Sequence, residues 1–194
     1  MKQLYGILMV GLVITVFSGC GGNGSSPTSK ENRQASEDGN LNIISSAFAH
    51  NESIPAYYTC DGEDLSPPLA WSGVPQGTQS FTLIVDDPDA PDPKAPKVIW
   101  VHWVLYNIPS ATTALSEAIT ELPGSTREGL NDWKRTGYNG PCPPVGRHRY
   151  FHKLYALDVV LPEMEEATKA QVEDAMQGHI LAQTELIGTY QRAE

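Results

Sequence analysis

SFTLIVDDPDAPDPKAPKVIWVHWVLYNIP, Ser80 to Pro109, sets the architecture of this chain. It opens with Ser80–Asp87 and closes with a second run, Val98–Ile108, both rich in β-branched and aromatic residues. Such residues suit a pleated, largely buried surface. The link between them, Pro88 to Pro96, is dense in proline. Proline cannot donate into a ladder, so this link must be a loop or an edge. The same alternation recurs outward in both directions. LNIISSAF (Leu41–Phe48) reads as a first strand and KLYALDVVL (Lys153–Leu161) as another, with further connections at Ser66–Pro68 and Gly140–Gly146. Fifteen prolines and seventeen glycines favour strands joined by turns over a helical bundle.

Beyond Leu161 the period changes. Thr168 and Gln171 have the spacing of a capping box. Val172, Ala175, Met176, His179, Leu186, Ile187 and Tyr190 then fall on one helical face, and Gly178 divides the stretch into two short helices. The expectation is a mostly β domain over residues 41–194 with helices at its C-terminal end.

The N-terminus differs in kind. Lys2 precedes an apolar run from Leu4 to Phe17, followed by Ser18, Gly19 and Cys20. That run has the length of a signal peptide and is short for a span, which needs about 20 apolar residues. Small residues before a cysteine resemble a lipobox, with Phe17 where leucine is usual, so residues 1–19 read as a lipoprotein signal peptide and Cys20 as the lipidation site. The alternative is an ordinary signal peptide with Cys20 incidental. Residues 20–40, polar and rich in glycine and serine, cannot bury enough to offset their ordering entropy and read as a flexible tether. The location this implies is the cell envelope, with membrane contact through the lipid anchor only. Gly21 after the cysteine favours the outer membrane, on its periplasmic side, in an organism that has one.

The formal net charge is −10, and no basic run is longer than a pair. Nucleic-acid binding needs a positive footprint and is set aside. With Cys20 lipidated, Cys60 and Cys142 remain, either as a bridge in an oxidising compartment or as two buried thiols. No CxxC or HExxH spacing suggests a metal, and nothing calls for a cofactor.

Two segments carry a resemblance. Asp64 to Pro91 (DLSPPLAWSGVPQGTQSFTLIVDDPDAP), continuing to Trp100–Pro109, and Gly137 to Asp158 (GYNGPCPPVGRHRYFHKLYALD) resemble the phosphatidylethanolamine-binding protein family. Ala175–Tyr190 is similar to its bacterial Raf kinase inhibitor-like branch. The resemblance implies a large central sheet with a smaller sheet on one side and helices on the other, and a small pocket for phosphate-like groups. Carried over by position, the pocket takes Asp87 and Pro91 (after a cis Ala90–Pro91 bond), His102, Gly140, Pro141, Cys142, Pro143, His148 and Tyr150. The loop from Pro144 to His148 looks shorter than in animal members, and Cys142 stands where they often have glycine.

The residues support such a pocket by themselves. Strand alternation puts His102 on the face of Val104, where an enclosed imidazole needs a polar partner. Asp87 would supply one and favour the protonated ring. His148 and Tyr150, two apart, share a face, and the glycine–proline turns can present N–H groups to an anion. The bland reading is that His102 is a satisfied structural histidine. His50, His152 and His179 have less support, with His179 expected in the core, and the four tryptophans read as core. The run Glu163–Glu166 reads as a solvated approach to the helix.

The leading function is therefore an envelope-anchored binding module for a small anion or phospholipid headgroup, one that could also modulate a protein partner. The alternative is a serine-protease inhibitor. A hydrolase using Cys142, or an Asp87/His102 pair, ranks lower because no G-x-S-x-G elbow is present, and the chain is expected not to be an enzyme. A purely structural envelope role predicts that the pocket tolerates mutation.

Overall fold

The computed structural model describes residues 40–193. The stretches read as signal peptide, lipidation site at Cys20 and tether, up to Gly39, lie outside the described residues. Five strands form the main antiparallel sheet in the order β6-β4-β3-β7-β8, and three short ones form a second sheet, β1-β2-β5. The main-sheet strands are β3 (Ser80–Asp87), β4 (Trp100–Pro109), β6 (Arg127–Glu128), β7 (His148–Leu157) and β8 (Ile180–Tyr190); the small sheet is built from β1 (Asn42–Ile44), β2 (Leu69–Ser72) and β5 (Ala114–Leu115). A single α-helix, α1 (Lys169–Met176), completes the described residues together with a 3-10 turn at Ala56–Tyr58. None of these elements is long and apolar enough to cross a membrane.

β3 is buried along its whole length, which is why its sequence is a near-continuous apolar run. Its odd-numbered residues Phe81, Leu83 and Val85 join the core shared with the small sheet, where Trp71 meets Phe81 edge-on at 5.6 Å. Ile84, on the other face, joins Val104, Tyr106, Val172 and Met176 beneath α1. Asp86 points to that helix side and is fully buried, held by Lys153 of β7 at 2.8 Å and Lys169 of α1 at 2.6 Å. This three-residue ion cluster ties helix to sheet.

The expected capping box is present: Thr168 accepts from the Gln171 backbone, and Gln171 accepts from the Thr168 backbone. The second expected helix is not. After α1 the chain turns at Gly178, with φ of +81°, and continues as β8. Leu186, Tyr190 and the intervening Gly188 face inward as a strand. A spacing of four, as between Leu186 and Tyr190, satisfies both helical and strand periods, which explains the misreading. His179 is accordingly not in a core but exposed, 2.9 Å from Asp158. Gly188 lets the chain crossing β8 come close: a Cβ there would stand 2.4 Å from Ile54 Cγ1.

Two boundaries move. β4 begins at Trp100, leaving Val98 and Ile99 exposed. β7 begins at His148 and ends at Leu157, so His148 and Tyr150 belong to a strand and not to its approach.

Candidate functional site

The site lies where β3, β4 and β7 end and the proline-rich connections meet. His102 owes its position to a bulge. Val85 pairs with Trp103 but Asp86 pairs with Val101, so His102 is an extra residue opposite no partner. A bulge of this kind re-aims a side chain. It puts Val101 and Val104 on the helix side, while Trp103 joins the core beneath the small sheet. The His102 ring meets Tyr150 at 5.2 Å and Trp133 at 5.2 Å. Regular alternation would have placed His102 beside Val104, and the bulge overturns that expectation.

Its partner also differs. Nδ1 of His102 is 2.6 Å from the Asn139 carbonyl, and Asp87 does not bond to it. Asp87 holds His148 instead: Oδ2 is 2.7 Å from His148 Nδ1, and Oδ1 accepts from the Asp89 N–H at 2.7 Å. His148 Nε2 lies 3.0 Å from the Val145 carbonyl. A carbonyl only accepts, so Nε2 carries a hydrogen, and a second proton is shared between Nδ1 and Asp87.

Burial governs the charges. His102 is 3% exposed, and desolvation pushes its pKa down to about 4. It is a neutral ring donating Nδ1–H to the Asn139 carbonyl. Burial pushes Asp87 upward against the opposing bond from His148. Asp89 is held below the usual range by Arg149, which it grips at 2.7 Å. The Tyr150 ring, 1% exposed, stacks near His148 at 6.5 Å. Its hydroxyl is buried without a hydrogen-bond partner among the described residues.

These groups share one opening. Asp87, Pro91, His102, Cys142, Pro143, His148 and Tyr150 line a cavity of about 310 Å³. Gly140 and Pro141 do not line it; they anchor its wall. The Gly140 N–H donates to Asp64 Oδ1 at 2.6 Å, and the Pro141 carbonyl accepts from the Cys60 N–H at 3.1 Å. The Gly140 N–H expected to face an anion is thus already engaged. Gly140 is required by space, since a Cβ would fall 2.3 Å from the Tyr58 carbonyl oxygen. The Ala90–Pro91 bond is cis.

Cys60 and Cys142 are bridged. The bridge removes the Cys142 thiol as a nucleophile, and Asp87 pairs with His148 and not with His102, so the Asp87/His102 pair is not assembled. The sequence reading missed Trp100, Trp133, Ala90 and Pro144 as lining residues. The two indoles meet edge-on at 5.4 Å, and Trp133 is 39% exposed. Trp133 sits between Asp132 and Lys134 in a polar, turn-rich stretch; a large aromatic with nothing local to bury was the available signal. Among the described residues no cluster of His, Cys, Asp or Glu could hold a metal ion.

A two-sheet scaffold with this pocket at its strand ends matches a known family: the phosphatidylethanolamine-binding protein profile matches residues 44–191, and the chain belongs to that family. Within it, the relatives place the chain in the bacterial and archaeal branch. A UPF0098 protein of Methanothermobacter thermautotrophicus is 48% identical over 155 residues, covering 78% of this chain and 99% of its own. One from Pyrococcus horikoshii is 40% identical over 99% of this chain and 91% of its own. Among solved structures, a homologue from Chlamydia trachomatis superposes with a TM-score of 0.73 at 42% identity, covering 79% of this chain and 98% of that one. Escherichia coli YbcL gives 0.72 at 31% identity, covering 79% and 99%.

Proposed function

We propose that this protein is an envelope-anchored binding module whose pocket holds a small phosphate-like anion, and that it works by binding and not by catalysis. The observation that carries the reading is a pair of unspent polar groups at the floor of one cavity: the orphaned Tyr150 hydroxyl and Nε2 of a neutral His102. Tyr150 donates to an anionic oxygen. His102 Nε2 accepts from whatever donor the ligand keeps, a P–OH or a headgroup ammonium. The Asp87–His148 pair, sharing its proton, sets the floor without adding net charge. Such a site prefers a monoanion to a dianion, and an acidic protein cannot draw the ligand from afar. The anchor is the lipid on Cys20, and the Cys60–Cys142 bridge supports an oxidising compartment.

Calorimetric titration with inorganic phosphate and O-phosphoethanolamine tests this. Tyr150→Phe removes one hydroxyl and His102→Ala one imidazole; each should weaken binding by about tenfold or more, the loss of one good hydrogen bond to a charged group. O-phosphoethanolamine, a phosphate monoester, should bind more tightly as pH falls toward its second phosphate pKa of about 6, where the monoanionic phosphate takes over. Binding of neither ligand, or binding indifferent to both substitutions, sinks the reading.

A further inference from the structure

We propose that the Cys60–Cys142 bridge is a redox-operated latch on the pocket wall, so that a dithiol reductant lowers the protein's hold on its ligand; this rests on the anion-binding reading above. Three observations converge on it. Cys142 lines the cavity, yet it and Cys60 are both exposed, so the bridge is within reach of an attacking thiolate. Accessible disulfides are the ones that exchange.

The bridge also sits where the wall leaves its anchorage. Up to Pro141 the segment is held by hydrogen bonds, Gly140 to Asp64 and Cys60 to Pro141. From Cys142 to Gly146 those ties stop. Pro143 and Pro144 have no N–H to give, and among the described residues the hydrogen bond to this stretch is the one from His148 Nε2 to the Val145 carbonyl. Covalent attachment at Cys142 therefore positions Pro143 and Pro144, which form one side of the cavity, and Val145, which orients His148.

Third, the consequence runs directly to the ligand groups. His148 is fixed by Val145 on one nitrogen and by Asp87 on the other, and it stacks near Tyr150. Freeing the wall removes the first of these ties and opens the cavity beside the Tyr150 hydroxyl.

The chemistry balances with a dithiol partner. One thiolate of the reductant attacks a bridge sulfur and breaks the S–S bond, giving a mixed disulfide and one free cysteine thiolate. The reductant's second thiolate then displaces the other cysteine. The reductant leaves as its disulfide, having supplied two electrons, and Cys60 and Cys142 each take up a proton as thiols.

The test uses the intact chain, oxidised, reduced with excess dithiothreitol, and reoxidised. Two readouts are taken: the affinity for inorganic phosphate, and amide exchange of peptides covering Cys142–His148 and Ser80–Asp87. The latch predicts that reduction speeds exchange in Cys142–His148, leaves Ser80–Asp87 protected, and weakens phosphate binding by about tenfold or more, with recovery on reoxidation. Unchanged exchange or unchanged affinity on reduction overturns it. Loss of protection in Ser80–Asp87 also overturns it, since the bridge would then hold the fold and not the wall. If the oxidised protein binds no phosphate, the binding reading falls by itself, and a latch on ligand affinity falls with it even where exchange responds.

Discussion

Acidifying the protein from pH 8 to pH 5 should weaken its fold well before its carboxylates titrate, because two imidazoles are buried uncharged. His102 and His152 are 3% and 1% exposed, and burial pushes both down to about 4 from an ordinary 6.5. Neither ring nitrogen of His152 makes a well-formed hydrogen bond among the described residues, and the nearby backbone of Tyr150 and Leu186 offsets only part of the desolvation that protonation would meet. With the folded pKa below the unfolded one, the unfolded chain takes up protons first. Stability is therefore full above pH 6.5 and is lost as pH falls toward 4. At pH 5 the unfolded rings are almost wholly protonated and the folded ones about one-tenth so, a loss of about 2 kcal/mol per ring and about 4 kcal/mol for the pair. The raised Asp87 acts in the opposite sense, since there the folded state binds the proton first, and the lowered Asp89 adds to the loss only below its ordinary 3.8. Urea denaturation at the two pH values measures the difference. His152→Phe keeps a ring beside Phe48 and should reduce the pH-dependent loss by about half. A wild-type loss below about 1 kcal/mol, or the same loss in the variant, would refute the claim that both rings are held neutral.

Tyr150→Phe should move stability and binding in opposite directions. Removing an orphaned buried hydroxyl raises unfolding free energy by about 1 kcal/mol even as ligand affinity falls, and a variant no more stable than wild type would mean the hydroxyl is satisfied. Gly140→Ala forces a Cβ against the Tyr58 carbonyl, a backbone group that cannot swing aside; a cost of about 1–3 kcal/mol in urea denaturation is expected, together with weaker phosphate binding. Gly188→Ala meets the side chains of Ile54 and Phe48, so a comparable loss of stability is expected with the pocket's affinity unchanged. Asp86→Ala strands Lys153 and Lys169 under the helix and should cost about 3 kcal/mol, checked by thermal unfolding.

What the sequence disclosed depended on whether a signal was local. Ser80–Asp87 carries its assignment in its own composition and is a strand over those bounds. The Thr168–Gln171 cap is likewise a short-range pattern and forms as read. The residues of the pocket were legible as a set, since seven of the nine positions carried over line the cavity and the other two brace it. Their pairing was not. Which histidine Asp87 takes depends on a bulge in β4, and a bulge is a disagreement in register between two strands that neither strand's residues announce. β8 failed for a different reason, its inward positions being compatible with two periods until β7 supplied a neighbour. Trp133 was passed over because its partners, Trp100 and His102, lie some thirty residues away along the chain.

The irregularity at His102 also makes the pocket detachable from the sheet that carries it. Val101 already faces Asp86 and Trp103 already faces Val85, so excising the single residue between them would bring these two pairs into direct succession and leave only the separate register shift between Phe81 and Leu83 in this ladder. One lost codon would thus erase the imidazole and leave the scaffold whole. A lineage of this fold could shed its ligand and keep its shape in one step, and a shortened WVWV in place of WVHWV would be the mark of it.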